Sequence, residues 1–200
     1  MKNIATDIIG IQKKLQKTLD ERRFLHTLGV AYTATSMAMV HDCDIKKAQL
    51  AGLLHDCAKM CSKDKLLKTC KKNGIKITTH EQEHPEMLHA KIGALIARSK
   101  YHITDSEVLD AIRWHTTGKS AMSKLGKIIY IADFIEPNRK ELDCLDKIRE
   151  LAFSDLDECM YVLLKNIIEF LESKNEEIDE VSNAAFEYYS NLHNQGRIKG

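Results

Sequence analysis

Leu53-Leu54-His55-Asp56-Cys57-Ala58-Lys59 sets a histidine and an aspartate side by side within an apolar run. Polar side chains carried on an inward helical face cost free energy unless something satisfies them. Adjacent residues on a helix point about 100° apart, so the imidazole can ligate one cation while the carboxylate reaches across to a second. Whether other segments supply matching donors decides what kind of interior this chain has.

Working outward from that pair, four more such residues stand in or beside apolar helical segments: His26 after Leu25, His89 in Leu88-His89-Ala90, His115 after Trp114, and Asp133 after Ile131-Ala132. One buried histidine is commonly a hydrogen-bonded core residue. For four histidines and two aspartates in the interior helices of one small domain, mutual satisfaction through metal is the simpler account. A helical bundle offers that geometry, because several helices each project a ligand inward.

The rest of the chain supports a bundle. Ile4, Ile8, Ile11, Leu15 and Leu19 form one helical stripe. Helices are predicted over about 23–41 and 45–57, the second capped by Asp44, with a short basic helix between Ser62 and Gly74. Residues 75–84 read as a polar loop, and Pro85 opens a helix running to about Ser99. Thr104-x-x-Glu107 reads as a capping box, and Ser123 as the cap of a helix that ends before Pro137. Leu156, Met160, Leu163, Leu164, Ile167, Ile168 and Leu171 mark a long amphipathic helix, with a last one over about 176–192. The expectation is one all-α domain over 1–193: a metal-site core at about 20–140, C-terminal helices at about 143–192, and a flexible polar tail at 194–200.

Composition narrows the function. Thirty basic and 29 acidic side chains give a net charge of +1, and 6% aromatic content offers no stacking platform, which argues against a nucleic-acid partner. Two prolines and nine glycines among 200 residues are too few for an all-β domain. No apolar run approaches the roughly 18 residues of a membrane span, and the N-terminal stretch is polar rather than secretory. Six cysteines in a chain of this length read as reduced thiols, so a cytoplasmic protein is expected. Apolar residues on the C-terminal helices would permit a homodimer.

Another pattern competes for the metal. His80-Glu81-Gln82-Glu83-His84 fits both the H-E-x-x-H and H-x-x-E-H zinc-protease signatures. Its neighbours are polar, no apolar stripe precedes it, and Pro85 biases His84 away from helical geometry. It is taken as a solvated loop, and its histidines receive no role.

The ordered set H…HD…D resembles the HD-domain phosphohydrolases, and more narrowly the bacterial YqeK-type HD hydrolases described as symmetrical diadenosine tetraphosphatases. The similarity rests on Arg23-x-x-His26-Thr27, Leu54-His55-Asp56-x-Ala58-Lys59, Leu88-His89-Ala90-x-x-Gly93-Ala94, Ala111-Ile112-Arg113-Trp114-His115-Thr116-Thr117-Gly118, and the run from Tyr130 through Asp133 to Arg139. It spans roughly residues 20–140 and extends more loosely to about 190. It implies an HD-type bundle in which His26, His55, Asp56 and Asp133 hold one metal, while Asp56 bridges to a second held by His89 and His115. It points to iron; imidazole-rich sites also suit manganese or zinc better than magnesium.

Chemistry follows from such a site. A metal-bound water has a lowered pKa and supplies hydroxide for attack on phosphorus. Asp56 and Lys59 are the expected catalytic residues. Lys59, Arg139 and Arg23 are candidate cations for a polyphosphate, and Thr116, Thr117 and Gly118 candidate phosphate holders. Arg23 reads alternatively as a brace to an acidic partner. The expected function is metal-dependent hydrolysis of nucleoside polyphosphates, with diadenosine tetraphosphate giving two ADP. The alternatives are another HD nucleotidase or phosphodiesterase, or a non-catalytic nucleotide-binding sensor.

Overall fold

A computed structural model describes residues 7–140 and 142–196. Ile4 of the first stripe and the last four residues of the expected tail lie outside them. Among the described residues every regular element is helical: α1 (Ile8–Thr18), α2 (Glu21–Val40), α3 (Ile45–Leu54), α4 (Lys63–Lys72), α5 (Thr79–Glu83), α6 (His89–Lys100), α7 (Ser106–Trp114), α8 (Lys124–Ile135), α9 (Leu145–Ala152), α10 (Leu156–Ser173) and α11 (Glu180–Asn194). The all-α expectation holds. No described helix is long and apolar enough to cross a membrane.

Short polar side chains start most of these helices. Asp7, Asp20, Asp44, Asp105, Asp155 and Asp179 each accept backbone N–H groups of the first turn, and their charge complements the positive helix start. Ser62 and Ser123 cap α4 and α8. Gly74 follows α4 with φ +63°, the left-handed conformation expected of a terminating glycine.

Three local expectations need correction. First, α3 stops at Leu54 rather than running to 57. Beyond it, Cys57 N–H donates to Leu54 O and Lys59 N–H to Asp56 O, the tighter i→i+3 pattern of a turn. Second, residues 75–84 are not wholly loop: Thr78 and Glu81 form a reciprocal capping box that starts α5. Glu81 is buried and paired with Lys91 Nζ at 2.6 Å, so this segment is anchored. Third, Asp105 rather than Thr104 caps α7, since its Oδ1 accepts from both Glu107 and Val108 N–H. Glu107 is thereby left to pair with Lys47.

α2 packs on α3 and α8, α7 on α6 and α8, and α10 on α8, α9 and α11. Two glycines on these faces make close approach possible. A Cβ on Gly52 would lie 2.7 Å from Ala31 Cα, so α2 and α3 touch backbone to backbone. A Cβ on Gly29 would collide with the Glu136 carboxylate. The principal core runs from Ile11 and Leu15 through Leu53, Ile112 and Ile128 to Tyr189, so the first and last helices share it. A smaller cluster around Leu66, Leu88 and Ile92 seats α4 against the following segments.

Candidate metal centre

Three of the central histidines sit at helix ends: His55 and His115 at C-termini, where backbone carbonyls lack helical partners, and His89 at the start of α6. His55 follows α3, and its Nδ1–H donates to Gly52 O at 2.7 Å. His115 follows α7 in the same way, donating to Ile112 O at 2.7 Å. His89 opens α6, where the Pro85–Leu88 turn offers Glu86 O to its Nδ1–H. His26, inside α2, donates from Nδ1 to Glu136 Oε1 at 3.1 Å. A carbonyl or carboxylate oxygen can only accept, so each bond places the proton on Nδ1 and leaves Nε2 with its lone pair.

Those four Nε2 atoms converge on Asp56 and Asp133. Asp56 divides its oxygens: Oδ1 lies 3.2 Å from His89 Nε2 and 3.6 Å from His115 Nε2, while Oδ2 lies 3.6 Å from His55 Nε2 and 3.9 Å from His26 Nε2. Asp133 Oδ1 stands 3.1 Å from His26 Nε2 and 3.9 Å from His55 Nε2. His89 and His115 Nε2 are themselves 3.1 Å apart. The Nε2 atoms of His26 and His55 are buried without a hydrogen-bond partner.

Acceptors packed this closely require positive charge between them. Ligand atoms fall into three overlapping groups, each within 4.8 Å: His26–His55–Asp56, His55–His115–Asp133 and Asp56–His89–His115. The donor set therefore fits divalent cations.

Electrostatics prepare the same state. Burial pushes the His55 pKa down to about 4 and lowers that of His89. Burial works against the charge of Asp56, yet the imidazoles of His55, His115 and His89 hold it well below the usual carboxylate range. Asp133 is held down likewise, against burial, by His26, His55 and His115. For His26 burial lowers the pKa, but Asp133, Glu136 and Asp56 more than offset it and the net shift is upward. Neutral imidazole at 55 and 89 beside ionised carboxylate is the protonation state that a cation needs.

A cavity of about 230 Å³ opens on this cluster, bordered by Arg23, Lys59, Thr116, Tyr130, Phe134 and Arg139, with Leu163 and Ile167 of α10 as an apolar wall. Arg23 braces Asp56, Nη1 to Oδ2 at 2.6 Å. Arg139 reaches Asp133 through Nε to the backbone oxygen at 2.9 Å and Nη2 to Oδ1 at 3.1 Å. Lys59 Nζ and the Thr116 hydroxyl face His89 Nε2 at 3.2 and 3.3 Å. Thr117 and Gly118 do not border this cavity: the Thr117 hydroxyl donates to Gly118 O, and Gly118 N–H donates to Trp114 O, ending α7.

Nothing in the sequence alone singles out Glu136. Almost fully buried, it fixes the His26 ring while its other oxygen accepts from Asn138 N and Nδ2. The available signal was its position, one turn after Asp133. Cys57, beside the ligand pair, donates from Sγ to Gly93 O, and burial pushes its thiol up to about 12.

Interior helices that close four imidazoles and two carboxylates into one cage define a class of divalent-cation hydrolases. The chain belongs to the HD domain family, whose profile matches residues 23–138. It is thus a metal-dependent phosphohydrolase. It is 38% identical over 165 residues to the symmetrical bis(5'-nucleosyl)-tetraphosphatase of Bacillus subtilis, covering 82% of this chain and 87% of that protein. Against the like-named protein of Halalkalibacterium halodurans the identity is 41% over 164 residues, covering 80% and 84%. The crystal structure of a predicted HD superfamily hydrolase involved in NAD metabolism, from Clostridium acetobutylicum, superposes with a TM-score of 0.88. It is 36% identical, covering 92% of this chain and 96% of that one.

Proposed function

We propose that this chain cleaves bis(5'-nucleosyl) tetraphosphates symmetrically, converting diadenosine tetraphosphate and water to two ADP. The observation that carries the reading is the division of Asp56 between two imidazole pairs, beneath a cavity bordered by Arg23, Lys59 and Arg139. The names carried by the Bacillus and Halalkalibacterium relatives support the substrate.

His26, His55, Asp56 and Asp133 would hold one cation, with Asp56 shared to a second held by His89 and His115. When bound, the cations supply Lewis acidity toward the phosphate oxygens and the attacking water. The donor set suits iron, manganese or zinc better than magnesium, and iron is the assignment we favour from the family resemblance. Around them the chain's own residues orient the substrate. Lys59, Arg139 and Arg23 set fixed positive charge beside the phosphates, and Thr116 offers a hydroxyl. Leu163 and Ile167 keep one wall dry, which strengthens each of those charge interactions. Water adds at one inner phosphorus and the bridging oxygen leaves with the other half, so both products are nucleoside diphosphates.

We place the reaction in the cytoplasm, a compartment consistent with six free cysteines. The test is product analysis after incubation with Fe²⁺, Mn²⁺ or Zn²⁺ and diadenosine tetraphosphate. ADP alone supports the proposal; AMP with ATP excludes symmetrical cleavage.

A further inference from the structure

The His80–His84 segment has a place in the structure that metal chemistry does not explain. α5 and the residue that follows it set the two imidazoles one turn apart, with ring centroids 4.5 Å from each other and planes 31° apart. The His80 side chain is 13% exposed, and its Nδ1 is buried with no hydrogen-bond partner. Neither ring belongs to a metal-competent group among the described residues.

These rings border a second cavity, of about 590 Å³, whose lining includes Met87 and Leu171. Thr116 and Ile167 line both this cavity and the metal-site cavity, so the two adjoin. Their charge differs in kind. The metal-site cavity is edged by Arg23, Lys59 and Arg139 beside the Asp56 and Asp133 carboxylates, whereas the second, among the described residues, is edged by carboxylates and by no lysine or arginine. Two of those carboxylates are already engaged: Asp179 caps α11, and Glu86 pairs with Lys63 Nζ at 2.8 Å. Glu176 and Glu177 remain, with Glu177 Oε2 3.8 Å from His80 Nδ1.

A phosphate chain is repelled from such a lining, while a nucleoside is matched by it. A flat base stacks on imidazole and packs against thioether and leucine. Its polar edge can satisfy a buried ring nitrogen, and ribose hydroxyls donate to carboxylates. Resting on the tetraphosphatase reading, we propose that the His80–His84 cavity is a nucleoside subsite. It takes the base and ribose of one substrate half while the phosphates run past Thr116 to the metal centre.

The test compares ligands with and without a nucleoside by isothermal titration of the metal-loaded protein. The ligands are ADP, its 2',3'-dideoxy analogue, and inorganic tripolyphosphate. His80→Ala should weaken ADP binding at least tenfold and leave tripolyphosphate within twofold of wild type. The surface change Glu177→Ala should weaken ADP several-fold yet leave the dideoxy analogue unaffected. Unchanged ADP affinity in both variants overturns the subsite, as does equal weakening of ADP and tripolyphosphate, which would make the cluster a phosphate or metal site. Failure of the wild-type protein to produce ADP from diadenosine tetraphosphate would instead overturn the functional reading beneath it.

Discussion

His26 donates its Nδ1 proton to Glu136 across the contact between α2 and α8, at 3.1 Å. That bond decides which nitrogen of His26 faces Asp133, and a ligand imidazole held by a carboxylate is both oriented and made more basic. Glu136→Gln should keep the fold and lower metal affinity about 10- to 100-fold. Metal titration of the apoprotein checks this; unchanged affinity would remove Glu136 from the site's support.

Asp56 lies within 4 Å of all four clustered imidazoles. Asp56→Ala should reduce bound metal by at least one equivalent in elemental analysis. Hydrolysis should fall by roughly 10³-fold or more, about 4 kcal/mol of transition-state stabilisation. Full metal content with near-normal turnover would show that the carboxylate does not link the two clusters.

Acid should destabilise the metal-free protein before the usual carboxylate range is reached. His55 carries a pKa of about 4 when folded against 6.5 as a free side chain, so the unfolded chain binds the extra proton first. Stability is therefore lost as pH falls from 6.5 toward 4, by up to about 3 kcal/mol from this group. The depressed pKa values of Asp56 and Asp133 add loss in the same direction at lower pH. His26, shifted upward, acts in the opposite sense, its contribution fading as pH rises. Urea midpoints of the apoprotein across this range should drop steeply, and His55→Gln should flatten the dependence.

Gly52→Ala presses a methyl against Ala31 on the facing helix. The expected cost is about 1–3 kcal/mol in urea unfolding, with weaker metal binding because His26 and His55 are carried by those two helices. A variant of wild-type stability would mean that α2 and α3 separate freely.

The six central donors were legible because each interrupts an apolar segment, a signal that survives without knowing how the helices pack. Their placement at helix ends was less so. His55 and His115 continue an apolar helical pattern in sequence, and only the structure shows that the helices stop just before them and that their rings turn back to Gly52 and Ile112. α5 is too short for any periodicity, and in sequence its capping box reads as polar loop. Glu136 next to Pro137 looks like an ordinary helix terminus until Gly29 lets α2 come close enough for His26 to meet it. Ile167 reads as core along the stripe of α10, yet it also walls the cavities, because one helix face can turn from core to ligand along its length.

Four proton positions on these imidazoles are dictated by protein oxygens, three of them main-chain carbonyls. Each lone pair is thus aimed by the fold itself, so a substitution that shifted one of these helix ends would misdirect a donor nitrogen without touching the site.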